Sequence, residues 1–229
     1  MSKVDEIKNQ LSRCSEDEQH LVFEYLRSKF PIHPIEKQLN TTAEVILEAI
    51  ARAGDLTQRG VRGIIAEAAF KQYVVSHLKG WRDITPPCEA PYDFLLDDSK
   101  GQVRIQVKMQ RLKNKKPMMA NEGYKFLSSD KYAVETQKTR GGKDKKTNSD
   151  TRPYRFGEFD ILAVAMHPST GDWNDFGYTV ADWLIARSDN EDLLLKFQPV
   201  AKKPNEDWTG SLEECIKWFR DGIKKKIAR

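Results

Sequence analysis

Asp93, Gln106 and Lys108 are the residues whose types and spacing point most directly to chemistry. Gln106 and Lys108 stand two apart in QVRIQVKM, a run that alternates polar and apolar residues. A strand sends side chains i and i+2 to one face, so both share a face opposite Val103, Ile105 and Val107. The apolar run of Phe94, Leu95 and Leu96 precedes DDSKG, a hairpin turn by composition. Such a hairpin places the end of the Asp93 strand beside the QVK strand, and if Asp93 turns to the same face a carboxylate, an amide oxygen and an ammonium converge. The set suits phosphodiester hydrolysis: an oxygen-ligated Mg²⁺ activates water and offsets phosphate charge, and the lysine stabilises the pentavalent transition state or orients the nucleophile.

A metal wants more than one carboxylate, and Glu67 is the candidate. It lies in GIIAEAAFKQYVVSHL, on an arc with Ile64, Val74 and Leu78. A carboxylate there must be paired, liganded or neutralised. The ordinary alternative is an ion pair with Lys71 one turn on, worth about 0.2–0.5 kcal/mol.

The elements that must position these residues follow from pattern. VDEIKNQL reads as a helix, and Ser15 with acidic residues after it opens another. Pro31 and Pro34 break this region. Thr41 or Thr42 starts AEVILEAIARAG, which Gly54 stops. A helix over roughly 60–79 carries Glu67. Strands take over after Trp81, with FDILAVAMH as a buried central strand. Weaker strand signals occupy 177–185 and 193–200. Ser211 and Glu214 form a capping-box pattern before a stripe of Leu212, Ile216, Phe219 and Ile223. The expectation is an α/β (α+β) fold, with residues 1–58 an N-terminal helical region for dimerisation or DNA contact and 59–229 the core. Two basic segments, 109–123 and 136–158, read as irregular loops.

Charge is unevenly spread. The 229 residues carry a net +4, but from Lys108 to Arg155 there are 14 Lys/Arg against 5 Asp/Glu, a net +9. A basic middle on an acidic frame suits a polyanion binder, and equally a solubilising lysine-rich loop. Three scattered cysteines and four histidines give no disulfide framework or zinc spacing and point to a reducing cytoplasm. No apolar run reaches membrane-spanning length.

Pro91-Tyr92-Asp93 followed by Gln106-Val107-Lys108, with twelve residues between the aspartate and the glutamine and Glu67 on the preceding helix, resembles the PD-(D/E)XK nuclease superfamily. The resemblance covers Glu67 to Lys108, about a fifth of the chain. It implies a restriction-endonuclease-like central mixed β-sheet flanked by helices and Mg²⁺-dependent DNA cleavage. Asp93, Gln106 and Glu67 would be the metal ligands and Lys108 the catalytic lysine. The departure is Gln106, which stands where the usual second acid would be, as in QxK branches that include Mrr-type enzymes; it removes one negative charge. Size and the helical front end favour a cytoplasmic, prokaryotic type II restriction endonuclease. That implies a homodimer on palindromic double-stranded DNA and a cognate DNA methyltransferase in the same system. The alternatives are a modification- or structure-dependent nuclease (Mrr-like, homing endonuclease or junction resolvase) and a non-catalytic DNA-binding protein.

The expected DNA contacts are Arg111, Lys113, Lys115, Lys116, Lys138, Arg140, Lys143, Lys145, Lys146, Arg152 and Arg155. Other features read more plainly. Glu135 could add a late carboxylate to the site but reads better as an exposed strand residue, and His167 could act as a general base but reads better as a strand-end residue capping a turn with Pro168. Trp173, Trp183 and Trp218 stack bases or anchor the core. Arg155, Glu158 and Asp160 are expected to pair with one another.

Overall fold

The computed structural model describes residues 2–138 and 152–229. It divides into two compact units, Met1–Gln58 and Arg59–Arg229.

The first unit is helical, with α1 (Lys3–Leu11), α2 (Glu16–Lys29), α3 (Ile35–Leu39) and α4 (Ala43–Arg52). Ser2 with Asp5 and Ser15 with Glu18 form reciprocal capping boxes, and the Thr42 hydroxyl accepts from Val45 N–H. These caps satisfy amides that a helix start leaves open. The centre of the unit is polar. Arg27 donates to both carboxylate oxygens of Glu44 and to Glu36, each at 3.0 Å. Glu36 is buried and also accepts from the N–H groups of His33 and Ala43. Phe23, Tyr25, Leu26 and Phe30 are meanwhile exposed.

The second unit contains most of α5 (Asp55–Tyr73), and a mixed five-stranded sheet. Its strands are β1 (Arg82–Asp83), β2 (Phe94–Asp98), β3 (Gly101–Met109), β7 (Ile161–Ala165) and β8 (Phe176–Val180), in the order β1-β2-β3-β7-β8. Only β3 and β7 run parallel; the other neighbours are antiparallel. Two small sheets pair β4 (Leu112–Lys113) with β5 (Lys116–Pro117) and β6 (Tyr132–Glu135) with β9 (Phe197–Val200). Short helices α6 (Ala120–Gly123) and α7 (His167–Thr170) and the longer α8 (Leu212–Arg220) complete the unit. The expected mixed sheet flanked by helices is present.

Patterning explains this core. Every residue of β7 is buried, as its unbroken apolar run requires. Phe70 of α5 is fully buried and its ring lies 5.1 Å from Phe94 and 5.3 Å from Phe176, which ties the helix to β2 and β8. Trp183 stacks on Trp218 at 5.3 Å and donates from its indole N–H to the Ile223 carbonyl, so both serve the core.

Several expectations need correction. The helix carrying Glu67 spans Asp55–Tyr73 rather than 60–79, and a 3₁₀ turn follows at Val75–His77. Ile64, placed beside Glu67 on an apolar arc, is exposed. The segment 109–123 is not irregular: β4 and β5 form a tight hairpin whose central residues Asn114 and Lys115 have φ of 50° and 61°. Asp160 pairs with Arg104, Glu158 with Lys138, and Arg155 reaches Glu158 through its backbone N–H, so the three do not simply pair among themselves. His167 does follow the buried strand and stands beside Pro168 as expected, where it begins α7 and stacks on Trp173 at 3.9 Å. Glu214 accepts from the Thr209 hydroxyl instead of closing a capping box, and Ile223 lies beyond α8.

Because Phe70 anchors the helix one turn from Glu67, Phe70→Ala should destabilise the second unit by about 3–5 kcal/mol. Urea denaturation followed by intrinsic tryptophan fluorescence measures this as a lower midpoint.

Candidate active site

The hairpin register brings the charged residues together. β2 ends its ladder at Phe94 opposite Ile105, and Asp93 N–H still donates to the Ile105 carbonyl at 3.0 Å. The side chain of Asp93 then replaces the missing strand: Oδ2 accepts the backbone N–H of Val107 at 2.8 Å. It also accepts from Gln106 Nε2. The carboxylate therefore satisfies a backbone amide that would otherwise be buried without a partner. Gln106 is itself buried and donates again to the Val107 carbonyl at 3.2 Å.

Glu67 reaches the same place from α5. Lys71, its expected partner, pairs instead with Asp83 at 3.3 Å, and Glu67 forms no ion pair or hydrogen bond with a described residue. Burial, and secondarily the Asp93 charge, push its carboxyl up to about 7, against the pull of Lys108. Burial also raises Asp93, opposed by Lys108 and by the hydrogen bonds from Val107 and Gln106. Lys108 is pulled below the ordinary lysine range by burial, while Asp93, Glu67 and Glu135 hold it up. The three charges thus sit in one partly dry volume and sense one another. Asp93, Gln106, Lys108 and Glu67 come from a hairpin and a helix, and the fold unites all four.

The flanking groups are partly those expected. Glu135 is not a solvated strand residue: it pairs with Arg111 at 3.3 Å and with Lys196 at 3.6 Å. Lys138 pairs with Glu158 at 2.7 Å. Lys113 pairs with Glu122 at 3.1 Å; Lys115 and Lys116 are exposed on the β4–β5 hairpin. Arg152 and Arg155 are exposed. Arg140, Lys143, Lys145 and Lys146 lie outside the described residues.

Two features escape a reading of the sequence. Tyr154 is buried, with the ammonium groups of both Lys108 and Lys138 at 5.3 Å from its ring centre. Gln110, two residues beyond Met109's neighbour Lys108, is fully buried, and neither its Nε2 nor its Oε1 has a partner among the described residues. Such a group costs about 1–3 kcal/mol. Gln110 continues the 106, 108 spacing, which is the one signal that could have marked it.

The donor set fits a hard divalent cation. Among the described residues no group of three or more His, Cys, Asp or Glu is placed to hold a metal. Asp93, Glu67 and the Gln106 amide oxygen supply oxygen donors, and two carboxylates raised by their own burial are the electrostatic state that a cation relieves. Few protein ligands, with water and phosphate oxygens completing the shell, is how Mg²⁺ is ordinarily held.

The raised carboxyl of Glu67 sets a sign for stability. Its folded value lies above its unfolded one, so its contribution is fully present below pH 4.5 and is lost as pH rises through about 7. Glu67→Gln should therefore raise Tm at pH 8 by about a few degrees and leave it unchanged at pH 4. Differential scanning calorimetry of the metal-free protein at both pH values checks this.

No family model matches the sequence, and no curated protein matches it. Among solved structures, the bacterial homing endonuclease I-Ssp6803I aligns with 71% of this chain and 94% of its own at 17% identity, with a TM-score of 0.38. A likeness of that size carries neither fold nor function across, and the chemistry rests on the residues of the site itself.

Proposed function

We propose that this protein is a Mg²⁺-dependent, sequence-specific double-stranded DNA endonuclease of the type II restriction class. The observation that supports it most is the meeting of Glu67, Asp93, Gln106 and Lys108, with Glu67 left unpaired by any described residue and its carboxyl raised to about 7. A partly buried carboxyl perturbed in this way, beside a second carboxylate and a lysine, marks a candidate working group.

The chain's own residues divide the task. Asp93, held by Val107 N–H and Gln106, presents a fixed carboxylate. Glu67, whose carboxyl is raised by burial and by the Asp93 charge, would be drawn into its carboxylate form by the cation it helps to hold. Lys108 sets a positive charge where the phosphate gains negative charge in the transition state. Asp93, Glu67 and the Gln106 oxygen would hold the Mg²⁺, which supplies Lewis-acid activation of water and charge neutralisation at the phosphate. The basic residues of 108–155 would bind the backbone and read base edges. Two copies related by a two-fold axis would cut both strands of a palindrome, and a cognate methyltransferase would protect host DNA.

Incubation of unmodified plasmid and phage DNA with Mg²⁺ should give discrete fragments that EDTA abolishes. Asp93→Asn keeps an oxygen for Val107 N–H but removes the charge, and Lys108→Ala removes the ammonium. Each should lower the cleavage rate by about 10²–10³ or more without loss of folding by circular dichroism. Cleavage confined to modified or branched DNA would move the protein to the modification- or structure-dependent class. Salt-sensitive binding without cleavage in the parent protein would make it a binding module.

A further inference from the structure

Lys108 is an ammonium without a close counter-ion: among the described residues no carboxylate oxygen lies within 4 Å of it, and the fields of Asp93, Glu67 and Glu135 act from farther away. Its recorded close contact is the ring of Tyr154 at 5.3 Å. A lysine side chain has four flexible torsions, so a diffuse field alone does not fix where its Nζ points. A ring face does, because the attraction falls off steeply with position over the π-system.

We propose that Tyr154 is a positioning residue for Lys108, its ring lying within cation–π reach of both the Lys108 and the Lys138 ammonium groups at the proposed nuclease site. This rests on the nuclease reading for its purpose, though not for its geometry. The ring is held in place. Tyr154 is 4% exposed, its ring meets Phe159 edge-on at 5.3 Å, and its carbonyl accepts from Leu194 N–H at 2.9 Å. The second cation is equally fixed: Lys138 Nζ lies 5.3 Å from the ring and 2.7 Å from Glu158 Oε1. Its backbone N–H donates to the Arg152 carbonyl at 2.9 Å, and Gln137 forms an isolated β-bridge with Pro153, so the segments carrying Lys138 and Tyr154 are joined.

Two ammonium groups drawn to one ring repel each other. Glu158 offsets that repulsion on the Lys138 side, and Asp93 with Glu67 does so on the Lys108 side. Tyr154 thereby acts through Lys108 and Lys138 rather than on substrate.

The test varies the ring's electron density at constant shape. Phenylalanine and then mono-, di- and trifluorophenylalanine are placed at position 154 of the full chain, and single-turnover cleavage of plasmid DNA is measured with Mg²⁺. Tyr154→Leu should cut the rate about tenfold or more, phenylalanine should rescue it, and each added fluorine should lower it again. DNA affinity and Tm should hold across the ring-bearing series, a pattern that a merely structural ring would not give. A rate flat across the fluorinated series, or lost with phenylalanine in a folded protein, overturns the proposal. Should the parent protein cleave no DNA, the nuclease reading fails separately. The cation–π contact is then read from the ¹³Cε resonance of Lys108, assigned with Lys108→Arg. A ring-current shift that Tyr154→Leu removes supports it, and an unshifted parent resonance overturns it.

Discussion

The hydrogen bond from Val107 N–H to Asp93 Oδ2 is the constraint on which the site depends. The ladder between β2 and β3 stops at Phe94, yet the next outward-facing amide of β3 is buried and needs an acceptor. A carboxylate supplies it. That solution to a backbone problem fixes a negative charge against the strand that also carries Gln106 and Lys108, so the sheet's edge chemistry and the site's electrostatics are one arrangement. Everything nearby is then an adjustment to that charge: the Gln106 amide donates to it, Lys108 is held toward its charged form by it against the effect of burial, and Glu67 is driven toward its neutral form by burial and by it.

The two units are held by different physics. The second has an aromatic centre, with Phe70 among Phe94, Phe176 and Tyr178, and its strands are covered by apolar side chains. In the first, Glu36 is the buried residue of the described helices and Arg27 joins it to Glu44. Both carboxyls are held below their ordinary range, Glu44 at about 2, chiefly by hydrogen bonds from Arg27 and, for Glu36, from the His33 backbone. The stabilisation from this cluster is present above the unfolded carboxyl values and fades as pH falls toward 2. Hydrophobic contacts in the second unit have no such dependence.

Local signals in the sequence carried well. Ser15 and Thr42 cap helices, the alternation of QVRIQVKM makes a strand, DDSKG turns the hairpin, and the apolar run after Phe159 lies buried in the sheet. The meeting of Asp93, Gln106 and Lys108 was legible because a hairpin fixes its partners by counting. What was not legible depends on contacts between distant segments. Lys71 finds Asp83 rather than Glu67, Asp160 finds Arg104, and Tyr154 arrives at Lys108 from forty-six positions away. The end of α5 at Tyr73 is not legible in the pattern because Val74 and Val75 continue the apolar run while the helix does not.

The parallel pairing of β3 with β7 has a consequence for how such a chain can change. Antiparallel neighbours can be joined by two residues, but a parallel pair needs a crossover, and here everything from 110 to 160 lies between the two strands. Glu67, Asp93, Gln106 and Lys108 all precede that connection, and Glu135, Lys138, Tyr154 and Glu158 lie within it. Within the described part of this connection the exposed β4–β5 turn at Asn114 and Lys115 can be rewritten without altering the register of β3 on β7, whereas Ala133, Val134 and Phe159 are buried and tie their segments to the core.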